Sequence, residues 1–66
     1  MQLAPLDVDK AEAVIEQWYQ RYLGRAASPK DMRYRVPHLT DPAWTFKQAW
    51  DLFHTEASKD PAYRAA

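Results

Sequence analysis

The sequence predicts an all-α fold, and three observations carry the prediction. Two stretches of the 66-residue chain repeat apolar residues at spacings of three and four, the period of one helical face. The single glycine, Gly24, follows the first stretch, where a helix would end. Between the stretches, Ser28-Pro29-Lys30-Asp31 carries a helix start of its own. The expected architecture is one small helical domain over residues 1–66: two amphipathic helices joined by a connection with a short third helix.

Residues 1–6, M-Q-L-A-P-L, read as an extended lead-in, because Pro5 keeps the residue before it out of the helical region. Asp9 with Glu12 makes a variant capping box, and Asp7 competes as N-cap; either starts a helix by Lys10. Ala11, Val14, Ile15, Trp18, Tyr19 and Tyr22 form its apolar face, with Glu12, Glu16, Gln17, Gln20 and Arg21 opposite. The helix should span residues 10–23 and stop before Gly24, which tolerates positive φ.

About 17 residues then separate the long helices, too many for a simple hairpin, so something ordered should occupy them. The Ser28 cap predicts a helix near residues 29–35, ended by Pro37 because Val36 before it is pushed toward extended backbone. The second long helix is expected over residues 42–58, with Asp41 as N-cap and Pro42 at the first helical position. Its stripe is Ala43, Phe46, Ala49, Trp50, Phe53 and Ala57, which should meet Ile15, Trp18 and Tyr22 in an aromatic core. Asp60-Pro61-Ala62-Tyr63 repeats the word Asp41-Pro42-Ala43-Trp44 and predicts a terminal helical turn from Pro61.

A core of this size seldom contributes more than roughly 3–5 kcal/mol of net stability, and the chain has no cysteine to add a disulfide, a thiolate metal site or thiol catalysis. Nine aromatic residues raise the buried area per residue. No apolar run approaches a membrane span, and the first residues lack the pattern of a secretory leader, so the expectation is a soluble, cytoplasmic chain with no membrane partner. Formal charge is zero but uneven: residues 1–20 sum to −3, residues 21–38 to +4, and residues 39–66 to −1.

Catalysis finds little footing. One glycine cannot build a phosphate-cradling loop, and Ser28, Thr40 and Thr45 sit where hydroxyls cap helices. Asp51 and His54 share a helix face as a carboxylate–histidine pair would, but Lys47 one turn earlier disfavours a dication, so no metal or other cofactor is expected. The basic segment 25–35, with Arg25, Lys30, Arg33 and Arg35 around Tyr34, offers nucleic-acid binding as the alternative reading. Neutral overall charge, and Asp51 and Glu56 on the would-be recognition helix, oppose it.

Trp44 and Leu52 fall off the stripe of the second long helix. Together with a charged rim of Arg33, Tyr34 and Arg35 they form the expected partner-binding set. The function these residues predict is a non-enzymatic protein–protein interaction module, a small adaptor, regulator or inhibitor that binds a larger protein. Self-association as a homodimer would use the same residues.

Overall fold

The computed structural model describes residues 6–64. It contains α1 (Val8–Trp18), prolonged by a π-helical turn (Tyr19–Leu23), then α2 (Pro29–Thr40) and α3 (Phe46–Ala57). No strand occurs among the described residues, so the chain is all-α as expected; residues 1–5 of the extended lead-in lie outside them.

Of the two possible caps for α1, Asp7 is used: its carboxylate accepts the Lys10 N–H at 2.8 Å, which places the helix start at Val8. Ala11, Ile15 and Trp18 are buried along one face. The last turn then widens, with the Gly24 N–H reaching back five residues to the Tyr19 carbonyl. Gly24 stands at φ 66°, the left-handed cap expected of it, and a Cβ there would meet nothing within 4 Å. Backbone strain alone therefore selects glycine. The widening buries Tyr19 and Leu23 together.

The Ser28 box forms as predicted. Ser28 Oγ accepts the Asp31 N–H at 3.0 Å, and the Asp31 carboxylate accepts the Ser28 N–H at 2.9 Å. However, α2 does not stop before Pro37 but runs through it to Thr40. A proline inside a helix forfeits one backbone bond and costs about 3 kcal/mol. Several contacts offset this: Leu39 is buried, the Leu6 N–H donates to the Leu39 carbonyl at 2.9 Å, and the Asp41 N–H closes on the Pro37 carbonyl at 2.9 Å. Burying one leucine contributes about 2 kcal/mol.

The predicted start of α3 at Pro42 is corrected. Asp41 instead ends α2 and folds a tight turn in which its carboxylate accepts the Ala43 N–H at 2.8 Å and its carbonyl accepts the Trp44 N–H at 3.0 Å. Helix α3 begins at Phe46 behind a different box: Thr45 Oγ1 accepts the Gln48 N–H at 3.1 Å and Gln48 Oε1 accepts the Thr45 N–H at 2.9 Å. Asp60 builds the same turn, with its carboxylate on the Ala62 N–H at 2.8 Å and its carbonyl on the Tyr63 N–H at 3.0 Å. The repeated Asp-Pro-Ala-aromatic word therefore encodes a turn twice and a helix start neither time.

Phe53 and Ile15 are fully buried at the centre. The Phe53 ring meets Trp18 at 5.3 Å, Tyr19 at 5.4 Å and Tyr22 at 6.1 Å, and Trp18 meets Phe46 edge-on at 5.7 Å. The predicted aromatic core is present, but with two departures. Ala43 is exposed because it lies in the turn, and Trp50 is 36% exposed at the border of the stripe.

Candidate interaction face

Tyr34 and His38 stand four residues apart on α2, and so lie one above the other on a single helix face. The turn at Asp41 brings Trp44 back onto that row. The Trp44 ring stacks on His38 at 4.3 Å, and His38 meets Tyr34 edge-on at 5.1 Å. At the far end the Tyr34 hydroxyl donates to Glu56 on α3 at 2.8 Å. Leu52 lies one turn before Glu56 on α3 and is half-buried, without packing against the buried core among the described residues. Three of the five sequence-predicted residues, Tyr34, Trp44 and Leu52, therefore border the junction of α2 with α3.

The other two part company from them. Arg33 is exposed on the opposite side of α2, lining a groove of about 460 Å³ with Glu12, Pro29, Met32, Val36 and Pro37. Arg35, expected on the rim, is 7% exposed and belongs to the core. Its Nε donates to the Tyr19 hydroxyl oxygen at 2.9 Å, and Nη1 faces Glu56 Oε1 at 3.1 Å as an ion pair. The guanidinium also lies over the Phe53 ring at 4.9 Å and the Tyr34 ring at 5.2 Å. Arginine tolerates such a place because its charge is paired and its flat face packs on rings. The rim reading missed it because its partners, Tyr19 and Glu56, are remote in sequence.

These contacts set the titration of the face. The bond to Glu56 holds the Tyr34 hydroxyl above its ordinary pKa, with burial adding to it. Burial lowers His38, and the Arg35 charge lowers it further, so this ring is neutral near pH 7. Burial raises Tyr19 even though the Arg35 contact works the other way.

Within the basic segment, Arg25 pairs with Asp60 at 3.0 Å at the surface and Arg35 with Glu56 in the core, so two of its four cations face a carboxylate of the same chain. The carboxylate–histidine pair of α3 is also engaged: Lys47 Nζ holds both Asp51 oxygens at 2.9 and 3.1 Å, and His54 Nδ1 faces the Tyr63 hydroxyl. Among the described residues no group of three or more His, Asp or Glu side chains gathers, and no helix is long and apolar enough to cross a membrane. Sequence reasoning missed His38 as the middle of the ladder; its one available signal was the four-residue spacing from Tyr34. Searches against protein-family models, curated proteins and solved structures found nothing that matches this chain.

Proposed function

We propose that the chain is a non-enzymatic protein-interaction module, a small adaptor, regulator or inhibitor that uses the junction of α2 with α3 to occupy a surface on a larger protein. The observation that supports this is the ladder of three rings along the junction, whose outer member, Tyr34, is 48% exposed, with half-buried Leu52 one turn before Glu56 on α3. Apolar and aromatic side chains grouped on one face, with polar groups at the edge, suit a protein surface better than a phosphate backbone. The partial neutralisation of the basic segment points the same way. The absence of cysteine is compatible with a cytoplasmic setting.

The test compares wild-type chain with Leu52→Asp and Tyr34→Ala in affinity capture from native lysate, with helicity and solution mass measured alongside. The expected result is retained helicity with loss of the captured protein in both variants. Unchanged capture, or unfolding of Leu52→Asp, overturns the reading. A wild-type mass of two chains that falls to one in the variants assigns the same face to self-association. Binding to short DNA or RNA at low salt that is lost in Arg33→Ala replaces the protein reading with the nucleic-acid one.

A further inference from the structure

Helices α1 and α2 run antiparallel, side by side. The Leu6 N–H, just before α1, donates to the Leu39 carbonyl near the end of α2, and the Ala27 N–H, just before α2, donates to Glu16 near the end of α1 at 3.2 Å. Six residues on from Leu6 and six back from Leu39 stand Glu12 and Arg33, so the two are level across the pair. Both line the groove of about 460 Å³, to which α3 contributes no residue.

The α2 residues of that groove, Pro29, Met32, Arg33, Val36 and Pro37, recur at spacings of three and four, so they form one helix face, and all but Arg33 are apolar. Val8 stands one turn before Glu12 on the same row of α1, and at 54% exposed it is the least covered large apolar side chain among the described residues. The charges at the groove lack partners: among the described residues neither Glu12 nor Arg33 is in an ion pair. A surface that covered this face would need apolar side chains, an anion opposite Arg33 and, at the same level, a cation opposite Glu12.

A second copy of the same face offers all three. A half-turn about an axis along the groove lays α1 of one chain over α2 of the other without changing their level, so Glu12 of each chain comes opposite Arg33 of the other, twice. The net charges of the helices agree with this placement. Helix α1 carries Asp9, Glu12 and Glu16 against Lys10, and α2 carries Lys30, Arg33 and Arg35 against Asp31.

We propose that the groove between α1 and α2 is a homodimer interface, in which two copies pack four antiparallel helices with reciprocal Glu12 to Arg33 ion pairs beside Val8, Met32 and Val36. Exposed ion pairs add little affinity; the apolar strip supplies that, while the charges select the partner and fix the register. This goes beyond the interaction reading and does not depend on it. The junction with α3 uses the other side of α2, so the dimer carries two such faces.

Sedimentation equilibrium of the full chain, from micromolar to millimolar concentration, tests the interface, with helicity measured alongside. The expected result is a wild-type mass of two chains, and a dissociation constant raised about tenfold or more in Glu12→Arg and in Arg33→Glu, because each reversal sets like charges opposite one another. Both positions are exposed, so the substitutions act on association and not on the fold of one chain. An equimolar mixture of the two variants should recover the two-chain mass, since every reversed charge then meets its opposite on the other chain. A wild-type mass of one chain throughout, or no recovery in the mixture, overturns the proposal. Dimers lost in Leu52→Asp but kept in both charge reversals belong to the junction with α3 and overturn it as well. If a reversal does not fold, Glu12→Gln and Arg33→Gln decide: association several-fold weaker in each and little weaker still in the double variant supports the pairing, and additive losses or none refute it.

Discussion

Arg35 and Arg33 are two residues apart and face opposite fates. Removing the Arg35 side chain strands Glu56 and the Tyr19 hydroxyl and opens space against Phe53. Breaking a buried ion pair costs 3–5 kcal/mol, and Glu56 is about one-third exposed, so Arg35→Ala should lose about 2–3 kcal/mol in chemical denaturation. Arg33→Ala, on an exposed side chain, should stay within about 0.5 kcal/mol. Tyr34 supplies a second test. Its hydroxyl is held above its ordinary pKa, so its bond to Glu56 contributes below about pH 10. That contribution is lost as pH rises through the folded value. Tyr34→Phe should therefore shrink the loss of stability measured on alkaline titration, while the buried Tyr19, raised in the same direction, keeps part of it. Single residues were also where sequence reading stopped short. Arginine is rarely buried without a partner, and the partners of Arg35 come from other helices.

At the level of elements, local chemistry was legible wherever one cap had no rival. Gly24 and the Ser28 box follow from short-range sterics and hydrogen bonding, and both stand where the spacing placed them. The start of α3 was read from Asp41-Pro42 alone, but an aspartate before proline serves a turn as well as a helix cap, and the box the helix uses is Thr45 with Gln48. The contact of Trp44 with His38 goes with the turn, and no local propensity reports that contact. The same applies to the site: Trp44 and Leu52 were grouped with Arg33, Tyr34 and Arg35 as one set, but which of the five share a face follows from long-range contacts such as the Tyr34–Glu56 bond, spanning 22 residues. Thr45→Ala should accordingly destabilise the protein by about 1 kcal/mol in thermal or chemical unfolding. Pro42→Ala, lying in an exposed turn outside the helix, should cost less than about 1 kcal/mol. The reverse order would restore Asp41 as the cap.

At the scale of the whole molecule, the two Asp-Pro-Ala turns bracket α3, one before its first residue and one shortly after its last. Each ends in an aromatic residue laid against a histidine, Trp44 on His38 and Tyr63 on His54. Helix ends are ordinarily where a small protein loosens first. Here each terminus of α3 is clamped by a ring, so near neutral pH exchange along the helix should be nearly uniform rather than graded from the middle outward. Ser58, the closing residue, should exchange almost as slowly as Phe53. In a folded chain this short, a helix that cannot unzip from its tips must let go all at once, and heating should show a single sharp loss of structure with no early softening at either margin.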